Sequence, residues 1–348
     1  MLSSSTNLLP FMRFPMTSLR SLGLLGASLL LLVSLSACSS TESASSAASE
    51  SAEAAAPAIE RPSWNVSEGT YRLRLAPETG ATYVNETNQS TTTNMVVQGN
   101  EFDISQDQTT TQTIRIADYT AEGVTTLATT IDRIQLTGGG AGGSVNYDSA
   151  DSTASGPVAS TIGPMIGQTL EMQLDQTGSF VGSRDSLSAQ IDALMGESGG
   201  TGDMLIDPLL NQFRFYPSEP VAVGDSWSNE VEVTMGAPFT VNATYTLSDV
   251  TDGLATIDVR MELSADGTSM NMGQMQAQAF LSGTQSGTLT VDLASGMVQS
   301  RDISGTVSGF AELTPPGGQG TQELDMEVST DVSSQTTRQD AMAPAASE

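Results

Sequence analysis

The chain has 348 residues, a formal net charge of −28, no histidine and one cysteine, and all twelve of its basic residues are arginine. Without histidine or lysine it cannot form a Ser-His-Asp triad, a His-ligated metal site, a Schiff base or a P-loop. The excess of acid argues against nucleic acid as a partner, because like charges repel. A pair of carboxylates, as in glycosidases, is the remaining option for catalysis.

The first segment of the chain has the pattern of an export signal. Arg13 and Arg20 precede an apolar stretch at 23–35 that is shorter than the roughly 20 residues needed to span a bilayer. Leu35-Ser36-Ala37-Cys38 follows and resembles the lipobox of bacterial lipoproteins. The resemblance implies that residues 1–37 are a signal peptide and that acylated Cys38 attaches the chain to a membrane. The alternative is an uncleaved anchor with a buried, free Cys38.

The residues after Cys38 predict a location and a tether. Ser39 stands where lipoproteins retained at the inner membrane carry Asp. This resemblance implies the outer membrane if the cell has one, and otherwise the outer face of the cytoplasmic membrane. Residues 38–66 are rich in Ser, Ala and Glu and predict a disordered tether, because they have too little apolar surface to offset the entropy of ordering. Residues 336–348 predict a disordered tail for the same reason.

Alternation of apolar and polar residues dominates the rest of the chain. It is strict in five segments, at 71–75, 170–174, 257–263, 289–293 and 324–328. A period of two is typical of antiparallel strands with one face in water. Turn sequences such as Gln176-Thr177-Gly178 and Thr251-Asp252-Gly253 separate the alternating segments. The sequence therefore predicts an all-β fold built of antiparallel sheets.

An internal repeat predicts two related β units. The matching segments are 113–123 with 245–253, and 167–178 with 287–296. Both copies run into an Arg-Asp pair, at 184–185 and at 301–302. We expect a first β unit at 67–200 and, at 201–335, a covering helix with a second β unit, together forming an open barrel or a sandwich. Chance matching of generic hairpins is the alternative.

Two segments between the repeats have apolar residues at helical spacing, at 186–196 and 203–213. In the second segment Leu205, Leu209 and Phe213 share one stripe, and Pro208 is acceptable only in a first helical turn. We expect one or two short helices that cover the open face of a sheet. The three stripe residues are candidates to contact an apolar ligand there.

A Gly-, Ser- and Asp-rich stretch at 138–157 predicts a long exposed loop. Asp148 and Asp151 within it could bind Ca²⁺, but no Asp-x-Asp-x-Asp-Gly sequence is present. We therefore interpret this stretch as a solvated loop without a metal.

The most distinctive string of the folded part is Phe-Tyr-Pro-Ser-Glu-Pro-Val-Ala-Val-Gly-Asp-Ser-Trp at 215–227. It resembles a Phe-x-Pro-x-x-Pro-Val-x-Val-Gly-Asp-x-Trp segment in an uncharacterised family of bacterial exported lipoproteins. The resemblance implies a periplasmic or surface β protein and assigns no activity. Two prolines extend the chain here, Gly224-Asp225 turns it, and Trp227 begins a strand. We interpret Trp227 as a core anchor, with stacking on a ligand as the alternative.

Three methionines form the one string that could hold a metal: Met270, Met272 and Met275. Thioethers select Cu(I), yet methionine also fills gaps in protein cores, and Met270 and Met272 share one strand face. We expect neither a metal nor another cofactor, and we assign no catalytic residue.

These patterns favour a non-catalytic envelope protein that binds an apolar ligand or an envelope partner. A structural or adhesion module on the cell surface is the alternative, and a carboxylate-based glycan hydrolase is the third. A large apolar cavity would favour the first function and a packed core the second. Two inward carboxylates about 5–9.5 Å apart would favour the third.

The lipobox makes a testable prediction about Cys38. Cys38→Ser should leave an unprocessed precursor or release a soluble form, because the thiol that carries the acyl chain is lost. Incorporation of radiolabelled palmitate measures this, with Ser40→Ala as the control. Continued labelling of the Cys38→Ser protein would show that no acyl chain is attached at this residue.

Overall fold

A computed structural model describes residues 61, 63–97, 99–140, 143–195, 209–234, 238–272, 275–314 and 321–339. Cys38, the signal sequence, most of the predicted tether and Leu205 lie outside the described residues. The strands are β1 (Asn65–Ser67), β2 (Thr70–Tyr71), β3 (Thr82–Val97), β4 (Asn100–Tyr119), β5 (Thr125–Gly140), β6 (Gly143–Asp148), β7 (Thr169–Leu174), β8 (Val221–Ala222), β9 (Ser226–Thr234), β10 (Pro238–Thr251), β11 (Leu254–Met272), β12 (Met275–Asp292), β13 (Val298–Thr314) and β14 (Gln322–Gln339).

Most strands belong to one large antiparallel sheet. Its order is β6-β5-β4-β3-β14-β13-β12-β11-β10-β9, and β7 pairs with β5 beside β6. Strands β1, β2 and β8 form a separate small sheet. Within the described residues no pairing joins β9 to β6 or β7, so the large sheet is open. The predicted all-β class, with antiparallel sheets and few short helices, is confirmed.

The pairing of β3 with β14 joins the two halves of the chain. The register runs without interruption from Thr82 opposite Gln339 to Val97 opposite Leu324. We call the end of the sheet that holds Thr82 and Gln339 the base end, and the opposite end the far end. Strands from the two predicted β units, 67–200 and 201–335, thus lie in one continuous sheet.

The repeated segments share a structural irregularity. The β4–β5 hairpin shifts register between Ile116 and Asp118, and the β10–β11 hairpin shifts between Leu247 and Asp249. The two aspartates occupy matching positions of the sequence repeat. An extra residue in one strand increases the local twist, so both hairpins bend at the same point.

Burial alternates along the long strands and defines an inner face of the sheet. The main apolar cluster covers this face near the base end and includes Ile116, Leu127, Leu170, Leu247 and Ile257, which are almost fully buried. A smaller cluster lies toward the far end and contains Phe239, Ala265, Ala277, Ala279, Leu281, Leu313 and Leu324. The outward rows are rich in acidic and hydroxyl side chains, which suit this face to water.

Between the two clusters the inner face carries buried amides and hydroxyls. They include Asn85, Gln89, Thr91, Gln108, Thr110, Gln112, Gln285, Thr330 and Ser334. Gln112 Nε2 donates to Asn85 Oδ1 over 3.1 Å, and Asn85 Nδ2 donates to Thr336 Oγ1 over 2.9 Å. Because buried polar groups need partners, these bonds link β4, β3 and β14 across the joint between the halves.

Short helices cover the inner face at the base end. The helix Arg184–Met195 agrees with the segment predicted at 186–196, and its Leu187 and Ile191 join the main cluster. Of the segment predicted at 203–213, residues 209–211 are helical and 201–208 lie outside the described residues. The helix Pro157–Ile162 and the 3₁₀ turn Gly163–Met165 were not predicted. Their Ile162 and Met165 are buried, so packing decides this structure.

The exposed loop predicted at 138–157 is wrong at 138–140 and at 143–148. Residues 138–140 continue β5, and Gly143–Asp148 forms β6 against β5. The Gly-rich sequence has no alternating pattern to reveal this pairing. Burial of Tyr147 and two hydrogen bonds from Arg133 to the Asp148 carboxylate hold the strand in place.

Both predicted boundaries of disorder are displaced. Strand β1 begins at Asn65, inside the predicted tether, because Trp64 stacks on Tyr71 at 6.2 Å and its carbonyl accepts the Arg72 N–H. Strand β14 runs to Gln339, inside the predicted tail. There it pairs with β3, which supplies backbone hydrogen bonds that this polar sequence does not reveal.

Glycines on the inner rows of β12 and β13 allow the two strands to lie close together. A Cβ on Gly305 would lie 2.5 Å from the Cα of Gln285, and a Cβ on Gly283 would lie 2.5 Å from the Cα of Val307. A Cβ on Gly139 of β5 would meet no atom within 4 Å. Glycine is thus required by backbone contact at position 305 and can be replaced without a clash at position 139.

Alanine substitutions at these two glycines should have opposite effects. Gly305→Ala should lower the free energy of unfolding by about 1–3 kcal/mol, because the methyl group overlaps the neighbouring backbone. Gly139→Ala is the matched control and should be neutral or stabilise by up to about 1 kcal/mol. Urea denaturation measures both, and equal effects would contradict the close approach of β12 and β13.

Candidate functional site

The aromatic side chains of the 215–227 motif bind backbone carbonyls. Trp227 Nε1 donates to the Phe215 carbonyl over 2.7 Å, and Tyr216 Oη donates to the Gly296 carbonyl over 2.6 Å. Burial raises the pKa of Tyr216 well above its usual range, so its hydroxyl remains a neutral donor. The motif is therefore fixed to the start of β9 and to the turn before β13.

A short turn then places Trp227 on the inner row of β9. The Asp225 carboxylate accepts the Ala222 N–H over 2.8 Å, and Gly224, at φ +96°, donates its N–H to the Leu247 carbonyl. Trp227 packs against the main cluster and stacks on Tyr245 with ring centroids 5.9 Å apart. These contacts are those of the predicted core anchor.

The apolar stripe is part of the core. Leu209 is 2% exposed and Phe213 is 9% exposed, and both belong to the main cluster. Their neighbour Leu210 is half-buried and borders a cavity instead. Leu209 and Phe213, which were predicted to contact a ligand, are therefore core residues and do not line the cavity, and Leu205 lies outside the described residues.

This cavity, of about 580 Å³, lies where the two edges of the open sheet approach each other, and we call it the seam cavity. One side is formed by residues that follow β7, a second by the segment 210–214, which follows the helices, and a third by β9 and β10. The lining residues are Ser179, Phe180, Arg184, Leu210, Asn211, Arg214, Val231, Glu232 and Pro238. Its wall is partly apolar and partly charged, with charges of both signs.

Two arginines and Tyr245 are ionisable groups on this side of the sheet. Arg214 borders the seam cavity, and Arg301 stands on the inner row of β13 between Leu289 and Ser334. Burial raises the pKa of Tyr245, and the positive charges of Arg301 and Arg214 offset part of that rise. Burial also lowers the pKa of Arg301.

Sequence reasoning singled out neither Arg214, which lines the cavity, nor Tyr245 and Arg301 on the inner face. Arg301 had an available signal, because it falls in phase with Ile303 and Val307 and thus in the inward row of β13. Arg214 and Tyr245 had none, because β9 and β10 meet the segment after the helices only in the folded chain.

The three methionines considered as metal ligands lie where the structure describes no side chains. Among the described residues no three Cys, Asp or Glu side chains form a group that could hold a metal ion. Side chains of Met270, Met272 and Met275 lie outside the described part, although the register places Met272 opposite Met275. The Arg133 guanidinium lowers the pKa of Asp148 to about 2, so this carboxylate already has a cationic partner.

Part of the chain matches a known family. Residues 183–298 match the family of unknown function DUF6263. The matched range contains the helix Arg184–Met195, the 215–227 motif and strands β9 to β12. This agrees with the predicted resemblance to an uncharacterised family. No curated protein matches the chain significantly.

Several solved structures are distantly similar. DynF from the dynemicin biosynthesis pathway of Micromonospora chersina is 9% identical with a TM-score of 0.20, over 79% of this chain and 92% of that one. The COG4313 outer membrane channel from Pseudomonas putida F1 is 8% identical with a TM-score of 0.21, over 76% and 97%. OccK7 (OpdD) from Pseudomonas aeruginosa is 6% identical with a TM-score of 0.23, over 74% and 100%. Likeness this low carries no functional argument.

Leu209 and Leu210 provide a test of which side chain packs in the core and which borders the seam cavity. Leu209→Ala should lower the free energy of unfolding by about 2–5 kcal/mol, because it opens a hole in the packed cluster. Leu210→Ala is the matched control and should cost less, because its side chain already borders an open space. Urea denaturation of both variants measures the difference, and an equal loss would mean that Leu210 is also a core residue.

Proposed function

We propose that the protein is a lipid-anchored envelope protein that binds an amphiphilic small molecule in the seam cavity. The cavity itself carries the proposal. Its volume of about 580 Å³ falls in the range of about 300–1,000 Å³ that is usual for small-molecule sites. The apolar Leu210, Phe180 and Val231 border it together with charged side chains, as a ligand with an apolar and a polar part requires.

The lipobox and the surface support the envelope location. Acylated Cys38 and the tether would hold the folded part near a membrane, while the acidic outward rows keep it in water. Residues 38–348 have a formal charge of 10 − 40 = −30, because Arg13 and Arg20 precede Cys38 and all acidic residues follow it. Such a surface repels anionic lipid head groups, so the anchor and not the sheet would contact the bilayer. No helix in the described ranges is long and apolar enough to cross a membrane.

A structural or adhesion module is the second candidate, because the base end of the sheet is filled by a packed apolar cluster. The glycan hydrolase has less support. In the described strands the acidic side chains stand in the outward rows, and Glu232 is the carboxylate that borders the seam cavity. These residues provide no facing pair of inward carboxylates.

Photo-crosslinking tests the proposed function. The full-length protein, anchored in phosphatidylcholine vesicles, is illuminated with a photoreactive hexadecanol, and labelled peptides are identified by mass spectrometry. We expect label on the peptides that contain Leu210 and Val231. Leu210→Trp should reduce this label several-fold because the larger side chain fills the cavity.

Val223→Trp is the matched control, because Val223 is 51% exposed and does not border the cavity. It should leave the label unchanged. Absence of label from the cavity peptides, or equal label in wild type and Leu210→Trp, would reject ligand binding in favour of the structural module.

A further inference from the structure

We propose that the outer face of the large sheet carries a docking surface for an arginine-rich segment of a partner protein. The surface is one row of outward side chains near the far end, and we call it the far-end row. Six adjacent strands contribute one register position each, and the row reads Asp266, Phe280, Phe310, Asp325, Val96 and Glu101. These residues do not border the seam cavity.

The two phenylalanines of the row form an aromatic patch on a face that is rich in acidic and hydroxyl side chains. Phe280 lies directly opposite Phe310 in the β12–β13 register, and their rings stack with centroids 5.0 Å apart. Both side chains are half-buried, and neither belongs to an apolar cluster of the inner face. The face of an aromatic ring attracts cations, so the patch suits a positively charged partner.

A bulge in β11 leaves space beside the Phe280 ring. The register shifts between Asp266 and Thr268, so Gly267 is the extra residue, and its φ is +63°. A Cβ on Gly267 would lie 3.5 Å from the Phe280 ring. Glycine therefore keeps a side chain off this part of the ring. Bulges often redirect side chains beside functional sites.

Carboxylates flank the aromatic patch. One lies opposite each ring, at positions where cross-strand Cβ atoms are about 4.5–5.5 Å apart. The two pairs are Asp266 with Phe280 and Asp325 with Phe310. Beside them Glu312 lies directly opposite Glu323, and like charges in such a pair repel. Within the described ranges none of these four carboxylates forms an ion pair, so a cation bound here would relieve repulsion.

The local sequence supplies no cation to this surface. The chain has no lysine or histidine, and arginine is absent from 75–114, 261–300 and 302–337. All six residues of the far-end row fall in these three ranges. Elsewhere Glu78 and Asp148 are paired with arginines of the chain. The acids of the row are thus complementary to positive charge that another molecule brings.

The spread of the row points to a polypeptide as the occupant. From Asp266 to Glu101 the row crosses five interstrand spacings, which is about 24 Å. Among the described residues no three Cys, Asp or Glu side chains form a group that could hold a metal ion, so a single small cation would neutralise only part of the row. Arginine stacks on aromatic faces and binds carboxylates through two hydrogen bonds, so several arginines would match both parts of the row.

The position of the row favours a protein over the lipid surface as its partner. Arg61, the first described residue, pairs with Glu78 at the base end, where the predicted tether joins the sheet. Strand β3 has 16 residues and runs about 50 Å from there to the far end. The far-end row therefore lies at the opposite end of the sheet from the predicted anchor.

Peptide binding tests the docking surface. The full-length protein in neutral dodecyl maltoside micelles is titrated with a fluorescent peptide of alternating arginine and serine, and anisotropy gives the Kd. At an ionic strength of about 0.15 M, exposed charges more than about 8 Å apart are screened, so the net charge alone contributes little. We expect the peptide to bind and its neutral citrulline analogue not to bind. Phe280→Thr combined with Phe310→Thr should raise the Kd about tenfold, because both ring faces are lost.

Two pairs of charge substitutions separate this site from general acidity. Asp266→Asn with Asp325→Asn should raise the Kd several-fold while keeping both rings, and it supplies the test if the threonine variant does not fold. Asp258→Asn with Asp302→Asn is the matched control, because both acids are exposed in outward rows about 27 Å from the far-end row along the strands. This control removes the same charge and should leave the Kd unchanged.

Four results would overturn the inference. An equal loss of binding in the control variant would show general attraction to an acidic protein. An unchanged Kd in the threonine variant would mean that the two rings only stabilise the sheet. Displacement of the peptide by an equal concentration of tetramethylammonium would assign the row to a small quaternary cation, such as a lipid head group. No binding of the arginine peptide by wild type would reject the docking surface. The proposed function is tested separately, by label in the seam cavity.

Discussion

The pairing of β3 with β14 is the constraint on which the rest of the structure depends. It joins strands that lie more than two hundred residues apart in the chain, and it turns two antiparallel units into one sheet. Closing so long a loop is entropically costly, so the pairing must be supported by side chains. Buried amide and hydroxyl bonds cross it on the inner face. At the base end Glu78 pairs with both Arg61 and Arg338, which holds the first described residue beside the last strand.

The seam cavity is a consequence of how this single sheet ends. A sheet that remains open has two free edges, and free edges must be covered or otherwise kept from pairing with another chain. Here the segment after the helices passes between β9 and the residues that follow β7, and its Leu209 and Phe213 continue the main cluster. This segment packs its apolar side chains against the base end and leaves the space beside Leu210 unfilled. Adjacent residues of one segment therefore belong to the packed core and to the border of the cavity.

The 215–227 motif connects the core with the candidate site. Its conspicuous residues are structural, because Trp227 and Tyr216 donate hydrogen bonds to backbone carbonyls and the Asp225 carboxylate accepts one from a backbone N–H in the turn. These bonds fix the chain on either side of Phe215 and so determine the position of the preceding Arg214. The cationic part of the cavity wall belongs to this less conspicuous arginine and to Arg184.

By itself, the sequence determined the all-β class, the turns, the helix Arg184–Met195 and the inward direction of Leu209, because alternation and helical spacing are local consequences of burial on one face. It did not predict the strands at Gly143–Asp148 and at the end of β14, because these polar or glycine-rich residues show no alternation. Pairing with a neighbouring strand stabilises both segments. Only the tertiary structure decided that β3 and β14 share one sheet and that Arg214 borders the same cavity as Phe180 and Val231. Those contacts join segments distant in sequence, so their formation depends on global register and on no property of the local segments.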